Sequence, residues 1–279
     1  MHVLHWFDPW KGGLCTCGRK YSLDPYTGCA HGCLYCYASS YIPNFFSPRP
    51  KKDFIARLER DLNKAEKLPI SISNSSDPYQ PLEKKRMLTR KTLELLNEFS
   101  FPAMIVTKSD LVLRDIPIIE KGKNAVAFTI TSMDDSLSLK LEPNAPPSSR
   151  RILALKRMHE IGVKTIARID PLIPEVNEHP RGLIEEISDF TDHFVFSTYK
   201  AKPDNLERMV AAFPSIRKYY CKDKTERMGN YLYLERNLRE KILFSSSKFI
   251  KGRNFGFCRE GFIFQGKSCD GTHLLLKHH

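Results

Sequence analysis

Several features are missing from this 279-residue chain, and each absence narrows the reading. No uncharged apolar run approaches the roughly 18–20 residues that a membrane helix needs, which argues against a spanning segment. The opening MHVLHWFDPWKGG lacks a basic stretch followed by an apolar core, so no secretory leader is expected and the expected compartment is the cytoplasm. There is no internal repeat and no low-complexity linker, which speaks against a solenoid or a disordered chain. Cysteine is too sparse for a disulfide scaffold: eight in all, with none between positions 37 and 220. Glycine (14) and proline (18) are ordinary in number, which excludes a collagen-like chain.

What is present is a basic chain with a regular alternation. Lys and Arg total 44 against 32 Asp and Glu, giving +12, a surplus that favours polyanionic partners. Basic intracellular proteins that bind no nucleic acid are also common. The segments ISISN (70–74), AMIVT (103–107), AVAFTIT (125–131), VKTIARI (163–169) and HFVFSTY (193–199) read as strands, and RKYSL would add a sixth. Between them, 53–67, 89–99, 111–121, 148–162 and 180–190 read as amphipathic helices. This order predicts an α/β fold of βαβ units around a parallel sheet. After about residue 200 the alternation is lost, with helices expected near DNLERMVAAF and YLYLERNLREKILF.

The cysteines cluster. Cys29, Cys33 and Cys36 stand in GCAHGCLYCY, a C-x3-C-x2-C spacing. On a helix they would share one face and could be three buried thiols, but Pro25, Gly28 and Gly32 oppose a regular helix. Glycines instead let the backbone curl so that thiolates converge on one inorganic centre. Zinc usually takes four ligands in paired CxxC units, and a ferredoxin-type cluster takes four thiolates, so three fit both poorly.

C-x3-C-x2-C with an aromatic before the last cysteine is the signature of radical S-adenosylmethionine (SAM) enzymes. The flanking segments 21–43 (YSLDPYTGCAHGCLYCYASSYIP), 75–83 (SSDPYQPLE), 106–115 (VTKSDLVLRD) and 141–158 (LEPNAPPSSRRILALKRM) resemble the spore photoproduct lyase-like, or DNA repair photolyase, branch, over roughly residues 15–175. The resemblance implies a partial (β/α)6 barrel with its site at the C-terminal strand ends. Cys29, Cys33 and Cys36 would hold a 4Fe–4S cluster whose open iron takes S-adenosylmethionine. Cleavage by one electron, from a donor such as flavodoxin or ferredoxin, would give a 5′-deoxyadenosyl radical that abstracts substrate hydrogen. The expected layout is an N-terminal segment (1–20) packing on the barrel, a barrel core (21–200) and a C-terminal extension (201–279).

By the same resemblance, Ser75, Ser76 and Asp77 match the loop that grips the methionine ammonium, although Ser and Asp before Pro78 are also ordinary turn chemistry. Lys108 would contact the methionine carboxylate. Thr129 matches a cofactor-contacting hydroxyl, on the face it shares with Thr131. Arg168 and Asp170 would contact cofactor or substrate, or simply pair with each other. Tyr35 and Tyr37 flank Cys36 and could relay a hydrogen atom, or pack beside the cluster. One departure stands out: the branch places a cysteine hydrogen donor just after its second strand, where this chain has Asn74.

Cys15, Cys17, Cys258 and Cys269 could form a second metal site, zinc or an iron–sulfur cluster, although C-x-C and C-x10-C are unusual spacings. Two basic strips are candidate phosphate tracks: Lys84, Lys85, Arg86, Arg90 and Lys91 beside Tyr79, and Arg217, Lys218, Lys222 and Lys224 around Tyr219 and Tyr220. The function these features point to is radical chemistry on nucleic acid, as DNA lesion repair or base modification. The alternatives are the same chemistry on a small molecule or peptide, and a non-catalytic iron–sulfur protein for binding or electron transfer.

Overall fold

In the computed structural model, residues 2–7, 14–264 and 266–276 are described, with Lys222 described by its backbone alone. Eight strands form one sheet: β1 (His5–Trp6), β2 (Tyr21–Leu23), β3 (Ile70–Ile72), β4 (Ala103–Thr107), β5 (Asn124–Thr129), β6 (Lys164–Leu172), β7 (His193–Thr198) and β8 (Asn254–Phe257). Their spatial order is their chain order. β1 is antiparallel to β2, and every pair from β2 to β8 is parallel. Registers such as Ile70 opposite Ala103 and Ala103 opposite Asn124 keep the strand starts level.

Helices cross between successive strands, as parallel pairing requires. They include α1 (Phe54–Leu62), α2 (Leu88–Glu98), α3 (Ser148–Glu160) and α4 (Arg181–Ile187). Phe54, Leu58 and Leu62 recur every fourth residue along α1 and bury one stripe. β5 and β7 are buried throughout, as expected of strands covered on both faces. Ile105, Val126, Phe128, Ala167, Phe194 and Phe196 point outward under the helices. Met104, Ala125, Ala127, Ile166 and Val195 point inward, where Leu275 of the C-terminal turn Thr272–Leu275 covers them.

The strands expected from sequence are all present, but three expectations change. The helix expected over 111–121 is a 3-10 turn, Asp110–Asp115, followed by a new helix, Ile116–Ile119. Pro117 sits at the second helix's start, where its missing N–H costs nothing. The helix expected near YLYLERNLREKILF begins only at Arg236, as α6 (Arg236–Ser247), after α5 (Pro203–Ala212). Tyr231–Leu234 is instead a strand paired with Thr225–Met228 across a turn that Gly229 (φ +59) permits. Finally, β8 extends the parallel sheet beyond the six strands read from sequence. A side chain at Gly256 in β8 would run into the backbone of Cys269, so only glycine lets the C-terminal tail lie there. Among the described residues no helix is long and apolar enough to cross a membrane.

Candidate active site

The loop that carries Cys29, Cys33 and Cys36 leaves the C-terminal end of β2 and contains no helix. Gly28 (φ +79) and Gly32 (φ +69) make its turns, and a side chain at Gly28 would collide with the Phe45 carbonyl. That same carbonyl accepts from Cys29 N at 2.8 Å. Gln80 clamps the loop on one side, accepting from Ala30 N at 3.0 Å and donating to the Gly28 carbonyl at 3.1 Å. Asn144 clamps the other, donating through Nδ2 to the Ala30 carbonyl at 3.0 Å and through its backbone N to the His31 carbonyl at 3.0 Å. Cys29 and Cys33 are buried, Cys36 half-buried, and none is in a disulfide. Burial pushes the thiols of Cys33 and Cys36 up. Three unbridged thiols on a glycine-shaped loop, held in place from both sides, are a donor set that fits an iron–sulfur cluster.

The loop after β3 stands beside it. Asp24 Oδ1 accepts from three successive backbone N–H groups, Asn74 (3.0 Å), Ser75 (3.1 Å) and Ser76 (3.3 Å). Ser76 Oγ donates to the Tyr26 carbonyl at 3.1 Å. Asp77 is buried and heavily engaged: its oxygens accept from Tyr79 N (2.9 Å), Thr107 Oγ1 (2.7 Å) and Lys108 N (2.7 Å), and His31 Nδ1 lies at 3.4 Å. Burial would raise the Asp77 carboxyl, but His31, Lys108 and Thr107 outweigh it and hold it at about 2. Asp77 therefore ties the β3 loop to the end of β4 and to the cysteine loop. Burial disfavours charge on the Lys108 ammonium, yet Cys33, Glu142, Asp77 and Asp170 together push its pKa up. Its Nζ lies 5.7 Å from the Tyr35 ring centre.

A second network forms behind Lys108. Glu142, fully buried, accepts from the Tyr35 hydroxyl, from Arg151 Nη1 and from Thr131 Oγ1. Arg151 also donates to the carbonyls of Pro146 (2.7 Å) and Thr129 (3.1 Å). Thr129 is buried and faces Arg168 on the neighbouring strand. Arg168 pairs with Asp170 at 2.5 Å. Tyr37 makes an edge contact with Tyr231 (5.7 Å) and a stacked one with Tyr41 (6.5 Å). Asn74 donates to Ser22 Oγ at 2.7 Å and to the Ser71 carbonyl at 3.0 Å.

Sequence reading missed Asp24, His31, Gln80, Glu142 and Arg151. All five lie within the quoted motif segments, but their partners do not show in the spacing: Asp24, Gln80 and Arg151 bond backbone groups of other segments, and His31 and Glu142 meet side chains.

The remaining cysteines divide. Cys17 Sγ lies 3.2 Å from Cys269 Sγ, and the Cys15 thiol is hydrogen-bonded to Cys17. Asp270 joins Cys17 and Cys269 with donor atoms within 4.8 Å of one another, whereas Cys258 packs against the inward apolar residues of the sheet. The basic strips change more. Tyr79 is 1% exposed and bonded to Asp115, so it offers no face for stacking, and Arg90 is paired with Asp115 at 2.9 Å. In the second strip Tyr220 is buried and donates to the Tyr199 carbonyl, while Lys218 and Tyr219 both engage Glu175. The Lys222 side chain lies outside the described residues.

Known proteins match this arrangement. The profile of the radical SAM superfamily matches residues 23–187. An uncharacterized protein of Methanocaldococcus jannaschii is 35% identical over 190 residues, covering 66% of this chain and 72% of that protein. An uncharacterized protein of Mycobacterium tuberculosis is 24% identical over 188 residues, a match that spans only 55% of its length. Among solved structures, spore photoproduct lyase complexed with dinucleoside spore photoproduct superposes with a TM-score of 0.67 at 18% identity, covering 86% of this chain and 76% of that one. SuiB of Streptococcus suis bound to S-adenosylmethionine gives 0.56 at 17% identity, with 85% and 50% covered. With a cysteine loop at the C-terminal end of the first parallel strand, a barrel sheet like that of spore photoproduct lyase, and a superfamily match over more than half its length, this chain belongs to the radical SAM superfamily.

Proposed function

We propose that this radical SAM enzyme acts on nucleic acid, as a lyase or a base-modifying transferase. One observation carries the choice of substrate. The segment that continues from Cys36 exposes two aromatic rings, Tyr41 (46%) and Phe46 (45%), and each lies near a cation, Lys202 Nζ at 5.5 Å and the Arg208 guanidinium at 5.4 Å. Flat rings beside cations suit stacked bases and their phosphates. The +12 charge and the fold shared with spore photoproduct lyase point the same way.

In this reading Cys29, Cys33 and Cys36 hold a 4Fe–4S cluster. When bound there with S-adenosylmethionine, it supplies a 5′-deoxyadenosyl radical able to take hydrogen from carbon. Lys108 offers a cation to the methionine carboxylate, Ser75 a hydroxyl to its ammonium, and Thr129 and Arg168 line the cofactor side of the barrel. Asp77 and Ser76 act as positioning residues, because their polar atoms are engaged within the protein. Glu142 holds the Tyr35 hydroxyl, so Tyr35 orients the loop, and Tyr37 is left as the phenol that leads toward the exposed rings. Since Asn74 replaces the thiol of the related branch, a repair cycle ending on a cysteine there is closed to this chain.

A shift assay with oligonucleotides across a salt series tests the substrate class. Binding should weaken steeply with salt as phosphate contacts are screened. Reduced, reconstituted enzyme should then form 5′-deoxyadenosine, carrying deuterium from a labelled oligonucleotide. No binding at low salt, with 5′-deoxyadenosine still formed, would reject nucleic acid and keep the radical chemistry.

A further inference from the structure

Three of the cysteines outside the active-site loop, Cys15, Cys17 and Cys269, come together at the opposite end of the barrel. Cys15 and Cys17 precede β2, at the N-terminal end of the first parallel strand. Cys269 follows β8, the last parallel strand, and its backbone lies directly against Gly256 in that strand. The two sulfurs thus come from beside the first and the last parallel strands of one open sheet, at the end away from the cluster loop. Conserving the fold, rather than serving chemistry, is the usual task of that end of a barrel.

We infer that Cys15, Cys17 and Cys269, with the Asp270 carboxylate, hold one zinc ion that clasps the first and last parallel strands together. Three geometric facts favour one ion over the alternatives. A Zn–S bond of about 2.3 Å in a tetrahedron places neighbouring sulfurs about 3.8 Å apart. The Cys17 and Cys269 sulfurs are 3.2 Å apart, and the Asp270 oxygen lies within 4.8 Å of both; Cys15 lies outside that trio and joins it through its hydrogen bond to Cys17, as the fourth donor. Thiolates that each serve a different iron of a cluster are held apart by its width, and a disulfide would need about 2.05 Å. Around the donors the surroundings are already built. Asp270 accepts from Thr272 Oγ1 at 2.7 and 2.8 Å and is ion-paired with the buried Lys20, partners of the kind that orient a ligating carboxylate. Lys20 also supplies a positive charge beside a site where three thiolates and a carboxylate outnumber the charge of a divalent ion. Zinc enters as the three thiols release their protons to solvent, with no change of oxidation state.

Metal analysis of anaerobically purified full-length protein tests this, using wild type, Cys17→Ser, Cys269→Ser, Cys258→Ser and Cys33→Ser. The expected result is about one zinc per chain in wild type. Cys17→Ser and Cys269→Ser should lose at least about four-fifths of the zinc and keep their iron, whereas Cys33→Ser should lose iron and keep zinc. Cys258→Ser should keep both metals. Should the serine variants misfold, cobalt added to wild type should give intense thiolate-to-cobalt charge-transfer absorption, which a site without sulfur ligands cannot produce. Zinc below about a tenth per chain, zinc lost from Cys33→Ser or Cys258→Ser instead, iron beyond about four per chain, or a Cys17–Cys269 disulfide in the intact mass would each overturn the assignment.

Discussion

Glu142→Gln is the sharpest probe of how the cofactor side of the barrel is held. Both partners of the Glu142–Arg151 pair have fully buried side chains. The substituted amide could still accept from the Tyr35 hydroxyl, but it would leave the Arg151 guanidinium uncompensated in the interior. Arg151 is already short of partners, since its Nη2 has none among the described residues. Removing one member of a buried pair costs about 3–5 kcal/mol. For a chain of this length the unfolding entropy is about 0.6 kcal/mol/K, so Tm should fall by about 5–8 °C. Thermal unfolding of anaerobic protein followed by circular dichroism reads this directly. The control is Glu142→Met with Arg151→Met, which removes both charges and should recover at least half of the loss. A Glu142→Gln Tm within about 1 °C of wild type, or a double variant as unstable as the two singles summed, would refute the reasoning.

Three other outcomes follow from named contacts. Gly28→Ala forces a left-handed residue, a penalty of about 1–2 kcal/mol, and drives its methyl group into the Phe45 carbonyl beside Cys29; iron bound after reconstitution should drop below about half of wild type. Tyr41→Ala and Phe46→Ala should each weaken oligonucleotide binding about 5- to 150-fold, the worth of one stacked base, while leaving iron content unchanged. Asp61, which accepts from the backbone N–H groups of Val3 (2.7 Å) and Leu4 (3.1 Å), is held below the usual carboxylate range: burial opposes this, and those two bonds together with His2 outweigh it. Its contribution is therefore present above the ordinary Asp pKa and lost as pH falls through the depressed value. Asp61→Asn should be less stable than wild type near neutrality, and in a pH series of melting curves the gap should close in acid.

The parallel strands were legible because a strand covered on both faces must be apolar throughout, and AMIVT and HFVFST carry that pattern without reference to anything distant. The active-site thiols were legible for a similar reason, their spacing and glycines being local. β8 was not, since NFGF is short and its glycine answers to Cys269, a neighbour only in space. The Tyr231–Leu234 strand was misread because tyrosine and leucine at alternating positions suit either period until Gly229 is known to turn the chain. Tyr79 looked available for stacking next to its lysines, and only the fold shows Asp115 taking its hydroxyl. Asp77 shows the same limit at the site itself. Its position in the motif was plain, but its four neighbours come from three different segments.

The contact between Cys17 and Cys269 joins positions 252 residues apart. A nascent chain emerging from the ribosome therefore exposes its sheet edges, and the inward face that Leu275 will cover, until the segment from Cys269 to Leu275 has been made. The active-site thiols, by contrast, are translated more than 200 residues ahead of Cys269, long before the barrel around them can close. Assembly of the metal loop and completion of its shelter are thus separated in time, and loss of the turn Thr272–Leu275 would leave a protein able to start its fold but with its concave side open to other chains.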